Sequence, residues 1–248
     1  MKRLVLFFCS IIMISCSGFQ SSGVGLNEEK FEVQTSSGVV SNDLGLLDLG
    51  FVSWQDIPFA KPPVGDLRWR APRPLDSPSQ IISPKDDTAC VQKASVYAGA
   101  AGKGIVGSED CLYLDITAPI DFEEKSYPVM FWIHGGGNTS GLKDYYDYSK
   151  LVSTRDVVVV RTNYRLGALG WFTHPSIQGS QEGIDKTSNF GTLDIIQSLK
   201  WVQTNISKFG GDPTNVTIFG ESAGGHNVFA LLSSPMADGL FHKAISQS

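Results

Sequence analysis

Residues 216–232 read VTIFGESAGGHNVFALL, and how this stretch folds decides the architecture. Val216 to Phe219 is a short apolar run of the kind that fills a buried strand, and Asn227 to Leu232 suits a helix. Between them stands Gly220-Glu221-Ser222-Ala223-Gly224. A strand turning sharply into a helix lifts such a serine clear of the sheet, and the flanking glycines leave room for the tight backbone crossing. The helix start also aims unpaired N–H groups at the site, where negative charge develops in acyl transfer. Ser222 is therefore the candidate nucleophile. The pentapeptide alone would also fit an ordinary turn, so the surrounding sequence carries the weight.

Working outward, Leu112 to Ile116, Val129 to Ile133 and Val157 to Val160 are further short apolar runs that read as buried strands. In Asn189 to Phe209, the residues Leu193, Ile196, Leu199 and Trp201-Val202 recur near helical spacing, and Gly210-Gly211 with Pro213 supply the stop. Strand, helix, strand implies an α/β fold with a doubly wound, mostly parallel sheet and active groups at the carboxyl ends of its strands. Phe31 to Phe59, broken by Gly38, Asn42-Asp43 and Gly50, reads as hairpins at a sheet edge. Pro58, Pro62, Pro63, Pro72, Pro74 and Pro78 then exclude regular helix or central strand, leaving an irregular arm.

A second chemical signal follows the Val129 to Ile133 run: His134-Gly135-Gly136-Gly137. Consecutive glycines let bare amides approach a substrate oxygen, and one or two of them can join the Ala223 amide as an oxyanion hole. Each such donor is worth about 3 to 4 kcal/mol of transition-state stabilisation. The bland alternative is a flexible turn.

The 248 residues are 42% hydrophobic and 18% charged, an ordinary globular composition, with a mild formal charge of -5. No basic run interleaved with aromatics appears, so no nucleic-acid partner is expected. Lys2 and Arg3 precede an apolar stretch from Leu4 to Ile14, too short to span a bilayer core of about 30 Å, so residues 1–15 read as an export signal. Met13-Ile14-Ser15-Cys16 resembles a bacterial lipobox, which would make Cys16 a lipid anchor and residues 16–27 a Ser/Gly tether. An ordinary secretory signal is the alternative. The expected location is the periplasm or outer membrane, with membrane attachment only through the Cys16 lipid.

Of the four cysteines, Cys9 lies in the signal and Cys16 in the expected lipid anchor, which leaves Cys90 and Cys111 to close a loop or to stay as buried thiols. Two cysteines without nearby histidines fall short of zinc spacing, so no metal or organic cofactor is expected.

At this point residues 28–248, one expected domain, resemble the N-terminal half of the type-B carboxylesterase and cholinesterase-like group of the α/β-hydrolase superfamily. The likeness runs through Pro58-Phe59-Ala60, Pro62-Pro63-Val64-Gly65, Leu67-Arg68-Trp69 and Ser108 to Leu114. It continues through the glycine loop, Asn163 to Gly167, Asn189-Phe190-Gly191, Phe209 to Pro213, the serine turn and Gly239 to Ile245. The resemblance implies Ser222 as nucleophile, Gly136, Gly137 and Ala223 as oxyanion donors, a Cys90–Cys111 disulfide, and an Arg68–Glu109 ion pair bracing the cysteine loop. Glu221 would support the site without joining a triad. His226 departs from the small residue usual there and would line the pocket or bond a backbone carbonyl.

Serine needs a histidine base and an acid that orients it, in the order Ser, acid, His. After Ser222 the one acid is Asp238, followed by His242, in a segment the family uses to leave one helix and approach the next strand. The resemblance puts the catalytic acid and base beyond Ser248, implying a sheet that stops near Ala244 to Gln247 with an open edge and weak or absent turnover. His134 then reads as a loop-positioning residue, and His174 and His242 as structural. Two function classes remain: a serine carboxylic ester hydrolase, and a non-catalytic adhesion module of cholinesterase-like ancestry, which would have no need of Ser222 beside an intact glycine loop. Val91 to Asp110 holds only Tyr97 among aromatics, and not the tryptophan of choline-binding members, so small uncharged carboxylic esters are the expected substrates.

Overall fold

The computed structural model describes residues 31–42 and 49–248. The expectations for residues 1–27, with Cys9 and Cys16, and for the turn residue Asp43 lie outside the described residues. In chain order the strands and helices are β1 (Glu32–Gln34), β2 (Val39–Ser41), β3 (Phe51–Pro58), β4 (Ile81–Ile82), β5 (Gln92–Ser95), β6 (Ala100–Val106), β7 (Tyr113–Pro119) and β8 (Tyr127–Ile133). They continue as α1 (Ser149–Arg155), β9 (Val158–Thr162), α2 (Gly167–Gly170), α3 (Pro175–Gly179), α4 (Phe190–Asn205), β10 (Gly211–Glu221), α5 (Ala223–Leu232) and β11 (Lys243–Gln247).

Six strands form the main sheet in the order β11-β10-β8-β9-β7-β3. β8, β9, β10 and β11 run parallel, and β7 runs against both β9 and β3. The chain steps from β8 to β9 on one side, then crosses back over β8 to reach β10. Right-handed crossovers therefore put α1 on one face and α4 with α5 on the other. The reversal of winding leaves a crevice between the carboxyl ends of β8 and β10, which is where ligands bind in open α/β sheets. The glycine loop follows β8, and Ser222 follows β10.

All four apolar runs are strands, and every apolar position expected on α4 is buried. Asp194 and Ser198 are buried on the same helix, so α4 is covered on more than its sheet-facing side. Core aromatics pack edge to face, with Trp54 against Phe122 at 5.0 Å and Phe209 at 4.9 Å. Each such side chain contributes roughly 1.5–3 kcal/mol through its buried area.

The early hairpins correct one expectation. β3 does edge the main sheet, but β1 and β2 pair with β4 in a separate three-stranded sheet. The reason lies in the arm, where the Val39 N–H donates to the Gln80 carbonyl at 2.7 Å and the Ile81-Ile82 pair offers β2 a partner strand. At the other end, β11 is the edge strand and all five of its residues are exposed. Among the described residues no helix is long and apolar enough to cross a membrane.

Candidate active site

β10 ends at Glu221 and α5 begins at Ala223, so a single residue must turn the chain. Ser222 does so at φ 57° and ψ −121°, a sparsely populated conformation that persists only where its surroundings hold it. Its N–H donates to the Gln247 carbonyl on β11 at 2.9 Å, and its carbonyl accepts the His226 N–H at 3.0 Å. A Cβ on Gly224 would lie 2.1 Å from the Ile133 carbonyl oxygen, and one on Gly220 would lie 2.5 Å from the Gly224 carbonyl carbon. The backbone crossing is possible because neither residue carries a side chain.

The glycine loop comes to the same place, since a Cβ on Gly135 would approach the Ser222 Cβ to 3.3 Å. Gly136 takes φ 98°, and its carbonyl accepts the Thr139 and Ser140 N–H groups at 3.1 and 3.0 Å. Among the described residues, the N–H groups of Gly136, Gly137 and Ala223 donate to no backbone carbonyl. These are the three amides that the resemblance implies as oxyanion donors.

Residues that the sequence reading passed over hold this loop. The Tyr164 hydroxyl donates to the His134 carbonyl at 2.7 Å, and the Asn227 amide on α5 donates to Asn138 Oδ1 at 2.9 Å. Asn138 sits at φ 57°, a conformation in which asparagine is enriched, and its place directly after three glycines was a readable signal. Nothing in the sequence marks Asn227.

Three of the four histidines hold partners away from Ser222. His134 is buried, stacks on Tyr164 at 4.3 Å, and donates from Nδ1 to the Gly135 carbonyl at 2.8 Å. Burial pushes its pKa down to about 4, so the ring is neutral at pH 7. His174 Nδ1 accepts the Ser176 N–H at 3.2 Å, and His242 Nδ1 accepts the Val216 N–H at 3.1 Å. His226 lies exposed on α5. Among the described residues no histidine ring bonds the Ser222 hydroxyl.

A hollow of about 70 Å³ opens beside this group, lined by Tyr97, Tyr145, Tyr146, His134, Gly135, Gly136 and Glu221. Glu221 faces the loop, its Oε2 lying 2.9 Å from where a Gly135 Cβ would be. His226, expected to line the pocket or bond a carbonyl, does not line this hollow. A larger cavity of about 680 Å³ lies between the Ala71 to Asp76 arm and α4 and contains none of these groups. The smaller one is lined by part of the glycine loop and by Glu221, next to Ser222 in the chain, but not by Ser222, Gly137 or Ala223 themselves.

The model of the Carboxylesterase family matches residues 30–248. This chain belongs to the carboxylesterase family. It is 45% identical over 212 residues to a cocaine esterase of Oryctolagus cuniculus, covering 81% of this chain and 38% of that protein. It is 42% identical over 229 residues to a fumonisin B1 esterase of Sphingopyxis macrogoltabida, covering 90% of this chain and 40% of that protein. Among solved structures, a PNB esterase matches with a TM-score of 0.76 at 41% identity, covering 87% of this chain and 43% of its own. The chain spans about two fifths of the length of the curated relatives it matches.

In this carboxylesterase-family chain, Cys90 and Cys111 are joined by a disulfide across a sequence separation of 21. The Arg68 guanidinium forks onto both carboxylate oxygens of Glu109 beside it. Within the loop β5 and β6 pair as an antiparallel hairpin. Gln92 on β5 donates to the Gly141 carbonyl at 2.9 Å and accepts the Gly141 N–H at 2.8 Å, tying the cysteine loop to the glycine loop. Among the described residues no group of three His, Cys, Asp or Glu is placed to hold a metal ion.

Proposed function

We propose that this chain carries the nucleophile half of a serine carboxylic ester hydrolase. The observation that carries the reading is Ser222, held at φ 57° at the strand-to-helix turn with the glycine loop against its Cβ. Ser222 Oγ attacks the ester carbonyl carbon, and the resulting oxyanion rests on the N–H groups of Gly136, Gly137 and Ala223. Collapse expels the alcohol and leaves an acyl-serine, which water cleaves to the acid and free Ser222. Small uncharged esters are the substrates. The carboxylesterase family and its relatives named as esterases support this class.

Since no histidine of the described residues engages Ser222, the 248 residues alone retain only the contribution of the oxyanion hole and binding, roughly 10³ to 10⁴ over water. A fluorophosphonate probe with imidazole supplied as external base tests the assignment. The expected result is a single adduct on Ser222, lost in Ser222→Ala. An adduct spread over other serines, or none on Ser222, overturns it. Fast hydrolysis of a nitrophenyl ester without added base would overturn the weak-turnover reading.

Export and lipidation of Cys16 complete the proposal, resting on residues 2–16 of the sequence. Cys16→Ser should move the protein from the membrane fraction to the soluble fraction. A wild-type protein already wholly soluble would rule out the anchor.

A further inference from the structure

The pairing of β3 with β7 shifts register between Trp54 and Ile57, and Asp56 sits at φ 54° inside this bulge. Its N–H, left without a ladder partner, donates to Asp115 Oδ1 on β7 at 2.9 Å. The Asp56 carboxylate accepts the Lys85 N–H and the Thr88 hydroxyl, each at 3.0 Å. Lys143, at 2% exposure, reaches both acids from the glycine-loop side: its Nζ lies 3.0 Å from Asp56 Oδ1 and 2.8 Å from Asp115 Oδ1. Arg161 on β9 completes the group, with Nη2 at 3.3 Å from Asp115 Oδ2 and Nη1 donating to the Tyr146 carbonyl at 3.2 Å. Two cations face two carboxylates, all buried.

Burial pushes the Lys143 ammonium toward neutrality, but the Asp115 and Asp56 carboxylates more than offset it and hold it charged. Taking such a group out of water is expensive, and an apolar side chain of similar volume is often neutral or better for stability. Stability alone therefore does not account for a lysine here. Its location does. Lys143 stands just past the loop of Gly135 to Gly141, and its own N–H donates to Asn163 Oδ1 at 2.9 Å. Lys143 and the Tyr146 carbonyl are thus both tied to Asp115, one directly and one through Arg161. Bulges beside active sites re-aim or fix what they touch.

We propose that Lys143 is a positioning residue: its ion pairs with Asp115 and Asp56 fix the far end of the loop that carries Gly136 and Gly137. The inference rests on the acyl-transfer reading of Ser222, but the loop's rigidity can be measured without turnover. Amide hydrogen exchange is followed at Thr139, Ser140, Gly141 and Lys143, with the α4 amides of Leu199 and Val202 as the reference, in wild type, Lys143→Met and Lys143→Met/Asp56→Asn. The single variant leaves an excess carboxylate buried and should melt lower. The double variant restores the charge balance, so its melting temperature and α4 protection should largely recover, while loop exchange stays about tenfold or more faster than wild type. Ser222 labelling by the fluorophosphonate probe should slow in the same double variant. Loop protection that recovers together with the melting temperature would make the cluster a stabiliser only and overturn the proposal. So would a double variant that fails to fold, or loop exchange unchanged in the single variant. If wild-type Ser222 never labels while the loop loosens as described, the function reading fails and the positioning role of Lys143 on the loop stands.

Discussion

Two arginines in this chain grip carboxylates with the same two-pronged geometry in different surroundings. Arg165 and Asp194 are 3% and 0% exposed, with Nε and Nη2 at 2.8 and 2.7 Å from the two oxygens and the Arg165 N–H at 3.0 Å from one of them. Arg68 and Glu109 are 41% and 24% exposed. The inner pair joins the loop after β9 to α4, and so holds the β9 to β10 crossover that delivers Ser222. The outer pair only braces the cysteine loop, in water that already satisfies both charges. Geometry alone does not rank them; burial does, because a lost partner leaves an uncompensated charge only in the interior.

The largest expected effect comes from breaking the inner pair on one side. Asp194→Ala should cost about 3 to 5 kcal/mol, read as a lowered urea midpoint. Replacing both members, as Arg165→Met/Asp194→Leu, should return most of that loss, and a double variant as unstable as the single would mean the pair itself stabilises the fold. Next comes the crosslink beside the outer pair: Cys90→Ala/Cys111→Ala should cost about 3 kcal/mol in the chain-entropy account, measured against wild type under oxidising conditions. His134 tests burial without an ion-pair partner in contact. Its folded pKa of about 4 lies below the unfolded value, so its contribution is present above pH 6.5 and is lost as pH falls toward 4. Wild type should lose about 2 kcal/mol between pH 7 and 5 from this group alone, a loss missing from His134→Gln. The smallest effect is at the outer pair, where Arg68→Ala should leave the urea midpoint within experimental scatter.

The sequence showed the outer pair and hid the inner one for a physical reason. Arg68 and Glu109 lie in short motifs that could be matched as strings, whereas Asp194 is one polar residue on a helix whose apolar spacing drew the reading. The turn at Ser222 and the glycine loop were legible because close backbone approach demands particular residues at adjacent positions. Four strands and α4 were legible because burial leaves apolar runs. Lys143, Asp115 and Asp56 were not, since a balanced buried cluster assembles residues far apart in the chain, each of which reads alone as a solvated charge. The β1–β2 hairpin was seen, but its sheet was not, because a two-residue strand such as Ile81-Ile82 leaves almost no periodic signal.

The hydrogen bond from the Ser222 N–H to Gln247 has a wider meaning than local geometry. It fastens the turn of the candidate nucleophile to β11, the strand that pairs with β10 up to Glu221. A shift of β11 along β10 is therefore felt at Ser222 directly, and whatever sets the position of that strand acts as a handle on the serine without touching the pocket.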